Sequence, residues 1–378
     1  MTKVLINLPA LYGGGAERLV LNLMRHLDRT AFMPSLFLMK RQGVYFEEVP
    51  DDVSITAGTE KETRVRKVFL QVMWRYLKAA REHDILVAGL ELESTYLAYL
   101  AGRVFHKPVV GWVHIPLTEY LNLLPKWHRA AVAYIYPRLD CVVCVSEGSA
   151  SAVRTVAALA PKRVRVIHGP FDLDAPLRRA SEAPPWAHEE DKRPVVVAIG
   201  RLNAQKGFDN LLQAHKLARS AGMDYRLWIL GEGPLRGELT SLIDRLQIAD
   251  SVKMPGFLPN PYPALRHAAV FVMSSRFEGL PLALFEALSL GTPCLSTNCP
   301  TGPAEILDNG RYGMLTPVED EKALADALCR LLRDDALRTK LGRAGRGRAT
   351  RYGLQLGMPT WQSLLSELHS STNGVVTL

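Results

Sequence analysis

Four charged residues carry the first chemical signal. Glu278 and Glu286 lie eight positions apart in the apolar run SSRFEGLPLALFEALSLGTP (274–293), where a core helix has little use for carboxylates. Eight residues make about 2.2 helical turns, which puts both acids near one face. Gly279 and Pro281 interrupt the first turn, so Glu278 is expected in a loop and Glu286 on the helix that follows. A carboxylate accepts well from vicinal hydroxyls, as on a sugar ring or a ribose. The N–H groups of Leu280 and Leu282 open the same turn. The pair therefore reads as a two-point grip on a polyhydroxylated ligand, against a helix cap with an unrelated acid behind it. Arg201 and Lys206, in IGRLNAQKGF, supply the opposite charge. A guanidinium fork and an ammonium point charge beyond a strand's carboxyl end suit a diphosphate. Solvated surface charge is the plain alternative.

Two glycine-rich turns are candidates for phosphate binding. LYGGGAER (11–18) follows the first apolar run and precedes a helical pattern, so backbone at Gly14 and Gly15 can approach a ligand closely and the helix start offers N–H groups to an anion. A tight strand-to-helix turn is the plain alternative. G-x-G-x-x-G fails here because position 18 is Arg, and it fails in LGEGPLRGEL because Gly237 comes one residue late. Hydride transfer from a dinucleotide loses its best support.

The 378 residues exceed what one core usually supports, so two domains are expected. Composition is that of an ordinary globular chain, with 48% hydrophobic and 22% charged residues. A net charge of +8 suits anionic partners without choosing among them. No apolar run approaches the roughly 20 residues of a membrane span, and MTKVLINLPALYGGG makes a poor signal peptide. Five scattered cysteines favour a reducing compartment. Cys141 and Cys144 form a C-x-x-C inside a β-branched run, which reads as buried strand rather than zinc or redox chemistry.

These candidates must be positioned by a regular alternation. KVLINL (3–8), DILVAG (84–89), PVVGWVH (108–114), DCVVCVS (140–146) and RVRVIH (163–168) read as strands separated by helix-length stretches such as 65–82 and 122–136. Residues 169–194 break the pattern with five prolines and read as a linker. The alternation restarts at 194–200, 225–231, 252–257, 270–275 and 293–297, then runs into a long helical region from 319. The expected architecture is α/β: two Rossmann-like, doubly wound domains facing a central cleft, with ligands beyond the carboxyl ends of the strands. The boundaries are residues 1–170, a linker at 171–193, residues 194–352, and a terminal segment at 353–378.

R-L-x-x-x-K-G (201–207), G-E-G-P (231–234), P-G-F (255–257) and E-G-L-P-L-x-L-F-E-A (278–287) together resemble glycosyltransferase family 4, retaining transferases of the GT-B fold. The likeness runs in order from the glycine loop to about residue 350. It implies that Arg201 and Lys206 bind the donor diphosphate, that Glu286 holds the ribose, and that Glu278 holds the transferred sugar with the backbone from Gly279 through Leu280 and Pro281 to Leu282. It further implies that Gly14 and Gly15 close over the diphosphate and that Gly256 and Phe257 contact the base. His114 in GWVHIP matches the histidine near the reacting sugar, so the implied catalytic set is His114, Arg201, Lys206 and Glu278. MPTWQSLLSEL (358–368) matches the helix that returns to the first domain. The sequence departs from the family at VIHGPFD (166–172), where an Asn-Gly pair commonly precedes the Asp.

No carboxylate in these motifs is an obvious nucleophile of the glycosidase kind. The expected mechanism is same-face attack by an acceptor hydroxyl, with Arg201 and Lys206 stabilising the departing diphosphate. No metal or other cofactor is expected: the D-x-D at Asp172 and Asp174 falls in the linker, and Asp172 matches a structural Asp of the family. The expected donor is a UDP-sugar and the acceptor a lipid-linked saccharide of surface-glycan assembly. GDP-mannose transfer, a GT-B nucleotide-sugar hydrolase or epimerase, and a non-catalytic sugar-nucleotide-binding subunit are the alternatives. The stretch 61–83, rich in Lys and Arg, carries Val68, Phe69, Val72, Met73, Tyr76 and Leu77, and Lys126, Trp127, His128 and Arg129 form a smaller patch of like kind. Both suit an anionic membrane surface, giving a cytoplasmic, peripheral placement, against an ordinary surface helix with its stripe turned inward. RAGRGRATR (343–351) lacks interleaved aromatics, so no nucleic acid is expected.

Overall fold

The computed structural model describes residues 1–60 and 65–373. It divides into two compact units. Met1–Phe171 and the chain from Leu354 form the first, and Asp172–Gly353 forms the second.

The first unit is built on seven parallel strands: β1 (Thr2–Leu8), β2 (Phe32–Lys40), β3 (Ser54–Thr59), β4 (Ile85–Ala88), β5 (Val109–Val113), β6 (Cys141–Cys144) and β7 (Val164–Val166), in the order β3-β2-β1-β4-β5-β6-β7. ILVA, VVGWV and CVVC are buried at every position, as parallel strands covered on both faces require. Strand order reverses between β1 and β4, and such a reversal opens a crevice beyond the strand ends. The second unit repeats this with six parallel strands: β8 (Val195–Ile199), β9 (Arg226–Leu230), β10 (Val252–Gly256), β11 (Val270–Met273), β12 (Cys294–Thr297) and β13 (Met314–Thr316), in the order β10-β9-β8-β11-β12-β13. Its reversal lies between β8 and β11.

Three strands have no counterpart in the sequence reading. Pro34, opposite Val4 in register, interrupts the pattern of β2, and a proline argues against a central strand. β3 is the weakly apolar SITAGT, and β13 is three residues long.

The stretch read as a linker is a packed part of the second unit from Asp172 onward. Asp172 accepts at 3.0 Å from the N–H groups of both Asp174 and Ala175, capping the helix Asp174–Arg179. The D-x-D thus serves a turn. Trp186 stacks edge-on against Trp228 at 5.1 Å, and Glu189 pairs with Arg226 and Lys253.

The helix Leu354–Asn373 belongs to the first unit. Trp361, fully buried, lies 4.5 Å from Trp112 of β5 and donates to the Gly169 carbonyl at 3.4 Å. Burying a side chain of that size contributes on the order of 2–3 kcal/mol. Glu367 pairs with Arg165 at 2.5 Å.

Lys61 to Arg64 of the basic stretch lie outside the described residues. Beyond them, the helix Phe69–Arg81 turns Val72, Tyr76 and Ala80 into the core, as the ordinary-helix alternative requires. It also presents a second apolar set outward: Phe69, Leu70 and Trp74 are exposed. His128 of the smaller patch is buried, hydrogen-bonded to the Tyr96 hydroxyl at 3.1 Å, while Trp127 beside it is exposed. Among the described residues no helix is long and apolar enough to cross a membrane.

Candidate active site

In the second unit the loops after β8 and β11 meet at the reversal. Lys206 Nζ lies 2.6 Å from Glu278 Oε1, which also accepts from Ser275 Oγ at 2.5 Å. Glu278 is only 5% exposed, so its charge is held inside the fold by one cation and one hydroxyl. The two loops are knitted together by backbone. Ser274 Oγ donates to the Lys206 carbonyl at 2.9 Å, Gln205 Nε2 to the Phe277 carbonyl at 3.0 Å, and the Arg276 N–H to the Gln205 carbonyl at 2.8 Å. Gly207 sits at φ +59°, where a Cβ would fall 2.2 Å from the Ser274 carbonyl oxygen. Only glycine allows so close an approach.

Glu278 lies in the loop and Glu286 on the helix Leu282–Ser289, as expected. Among the described residues no protein acceptor takes the N–H groups of Gly279, Leu280 or Leu282, and Pro281 caps the helix without an N–H of its own. Thr301, whose hydroxyl donates to the Glu278 carbonyl, holds this loop from behind. Beside it Gly302, at φ +88°, leaves no room for a Cβ against the Gly279 carbonyl. Glu286, 6% exposed, accepts from the Tyr262 hydroxyl at 3.1 Å. The two acids thus answer to different partners. Arg201 is exposed, and among the described residues its side chain makes no hydrogen bond or ion pair. Gly256 ends β10 and accepts from the Gly231 N–H at 2.8 Å, with Phe257 half-buried next to it.

The first unit treats its glycine loop differently. Glu17 Oε2 accepts from the N–H groups of Gly13 at 2.8 Å and Gly14 at 3.2 Å. The donors that the sequence offers to an anion at Gly14 are therefore used by the chain's own carboxylate, three residues into the helix Gly15–His26. His114, just past β5, is 7% exposed and its Nε2 lies 2.9 Å from the Gly89 carbonyl. Burial pushes its pKa down to about 3, with the Gly89 carbonyl opposing, so the imidazole is neutral near pH 7. That single hydrogen bond makes Nε2 the protonated nitrogen. The Trp112 and His114 ring centroids are 4.6 Å apart.

Sequence reasoning missed the partners of these residues. Ser275, Thr301 and Tyr262 have no motif of their own and are found only through the fold. Glu17 had a signal: its spacing from Gly14 is that of a capping box. Glu91, in the loop after β4, was also missed. Its Oε2 accepts from the His114 N–H at 3.1 Å, and burial pushes its pKa up to about 7.

Two doubly wound parallel units, with polar side chains gathered at each reversal of strand order, define a protein of the GT-B class. Known proteins agree. A family model described as Glycosyltransferase Family 4 matches residues 13–175, and one described as Glycosyl transferases group 1 matches residues 181–348. Over 362 residues the chain is 27% identical to the Campylobacter jejuni N-acetylgalactosamine-N,N'-diacetylbacillosaminyl-diphospho-undecaprenol 4-alpha-N-acetylgalactosaminyltransferase, covering 93% of this chain and 96% of that one. It is 26% identical to the lipopolysaccharide core biosynthesis glycosyltransferase LpsE of Rhizobium meliloti, covering 90% and 91%. The fold is shared with Anabaena HepE, crystallised with UDP and glucose, at a TM-score of 0.79 and 18% identity over 98% of this chain and 100% of that one. The chain belongs to the family 4 type of glycosyltransferases.

Proposed function

We propose that this glycosyltransferase moves a sugar from a UDP-sugar to a lipid-linked saccharide, with retention at the anomeric carbon, during assembly of a surface polysaccharide or lipopolysaccharide. The observation that carries this reading is the Lys206–Glu278 pair at the reversal in the second sheet, beside loop N–H groups with no protein acceptor among the described residues. Cations and free N–H groups suit phosphate oxygens, and a second buried acid with a tyrosine suits hydroxyls. Lys206 and Arg201 bind the diphosphate and stabilise the charge that develops on it as the glycosidic bond breaks. Glu278, with one oxygen engaged by Lys206 and Ser275, orients the sugar and is no free nucleophile. The acceptor hydroxyl attacks from the face the diphosphate leaves, and the diphosphate takes its proton. Glu286 holds the ribose, and the leaving charge is met by side chains without a metal.

The UDP preference is supported by HepE, crystallised with UDP and glucose, and the lipid-linked acceptor by the diphospho-undecaprenol substrate in the name of the Campylobacter relative. Exposed Phe69, Leu70 and Trp74 beside exposed Lys67, Lys78 and Arg81 support peripheral docking on the anionic, cytoplasmic membrane face where such acceptors reside.

The test is a panel of UDP-, GDP- and ADP-sugars, followed by thermal shift and by transfer to a lipid-linked acceptor in EDTA. Stabilisation by UDP-sugars with acceptor-dependent turnover is expected. Preference for GDP-mannose would overturn the donor, and equal turnover without acceptor would favour a hydrolase.

A further inference from the structure

The two sheets can be superposed strand by strand through their order alone: β1 and β8, β4 and β11, β5 and β12 hold equivalent places. The loop after β11 carries Glu278, and the loop after β4 carries Glu91. Both acids therefore stand beside a reversal of strand order, where doubly wound sheets bind ligands.

Their surroundings differ. Glu278 has Lys206, whereas among the described residues no Lys, Arg or His side chain pairs with Glu91. Among the described residues its one hydrogen bond from another residue is the His114 N–H, which a neutral amide oxygen would satisfy equally well. The backbone after it is forced. Leu92 sits at φ 60°, ψ −112°, outside the left-handed helical region as well as the usual ones. The buried Tyr136 hydroxyl holds it there, accepting the Leu92 N–H at 3.2 Å, while Thr95 Oγ1 donates to the Leu90 carbonyl at 3.2 Å. A leucine in that conformation costs stability and persists only where the surroundings over-determine it. A half-buried carboxylate with no cation, kept on a strained loop beside a neutral imidazole, has no evident use for the fold.

We propose that Glu91 is an acceptor-recognising residue, its carboxylate taking a hydrogen bond from a sugar hydroxyl of the acceptor next to His114. The inference rests on the saccharide-acceptor reading above. An uncharged polyol suits this place better than an anion, because the nearby groups are the Glu91 carboxylate, the charge of Glu93 and a neutral ring. Once ionised, as it is above pH 7, Glu91 accepts a stronger hydrogen bond than a neutral amide does. A carboxylate thus selects for a donating hydroxyl where glutamine would not.

The experiment compares Glu91→Gln and Glu91→Ala with wild type. The octyl β-glycosides of glucose, galactose, N-acetylglucosamine and N-acetylgalactosamine serve as acceptors, with the UDP-sugar that gives turnover as donor. Both variants should lower acceptor kcat/KM by at least tenfold, mainly through KM, while UDP binding followed by thermal shift stays within twofold. Should Glu91→Gln behave as wild type and only Glu91→Ala fail, the residue merely satisfies the His114 N–H, and the proposal falls. It falls too if either variant loses UDP binding in step with transfer. If wild type binds UDP yet transfers to none of the glycosides, the saccharide-acceptor reading fails and takes this one with it. Absence of UDP binding by wild type would instead sink the donor assignment.

Discussion

Glu278 and Glu91 occupy equivalent places in the two sheets, yet one is neutralised by a lysine and the other is left without a cation. The same contrast runs through the loops before them. After β8 the chain offers Arg201, exposed and without a partner among the described residues. After β1 the glycine loop donates to its own Glu17. A single topology thus carries two chemistries. The second unit keeps the Arg201 guanidinium and loop N–H groups available, while the first has turned the Gly13 and Gly14 donors onto Glu17 and holds a neutral histidine. An exposed guanidinium with open loop N–H groups suits a phosphorylated ligand, and a place without a paired cation suits an uncharged polyol.

The largest expected effect breaks the charged half of this contrast. Lys206→Ala and Arg201→Ala should each lower turnover by about 10²–10³-fold, more than they raise donor KM, read by steady-state kinetics. Only Lys206→Ala should also cost stability, about 2–3 kcal/mol in denaturant unfolding, because it leaves buried Glu278 unpaired. Unchanged turnover in both variants would end their assignment to the diphosphate.

A smaller effect concerns the outer surface of the first unit. Replacing exposed Phe69, Leu70 and Trp74 with serine should reduce co-sedimentation with anionic vesicles by about tenfold while leaving the melting temperature in place. Equal binding by variant and wild type would remove the membrane from the account.

The smallest effect sharpens the neutral half through pH. The Glu91 pKa is raised by burial to about 7, so between about 4.5 and 7 the unfolded chain loses a proton that the folded chain retains. Its contribution to stability is present below pH 4.5 and is lost as pH rises through 7. The shift bounds the loss at about 3 kcal/mol, which partial exposure reduces to roughly 1–2 kcal/mol. Glu91→Gln should therefore match wild type at pH 4.5 and exceed it at pH 8. The pKa of His114 is depressed, so its contribution runs the other way and is lost as pH falls from 6.5 toward 3. Denaturant melts at several pH values would show both slopes, and a flat Glu91→Gln difference would refute the first.

Much of the fold was legible because parallel strands buried on both faces advertise themselves as unbroken apolar runs; β1, β4, β5 and β6 are of this kind. β2 hid behind Pro34, and β13 was too short to register. The linker reading failed for a related reason: proline and charge mark loops, but Glu189 finds Arg226 and Lys253 only once β9 and β10 exist. Within the candidate site, the loop position of Glu278 followed from Gly279 and Pro281 alone. Its pairing with Lys206, 72 positions away, did not. Nothing near Glu91 marks it either, since its meaning depends on where strand order reverses, and that is set by pairing rather than by local pattern.

The helix Leu354–Asn373 makes the first unit discontinuous in the chain. A ribosome delivers β1 to β7 first and the second unit next, yet the indole of Trp361, which seals the underside of β5 against Trp112, emerges only afterwards. The second unit is contiguous and is free to condense as soon as it is made. The first must wait for the helix Leu354–Asn373, so the second unit should mature earlier in the life of each new molecule.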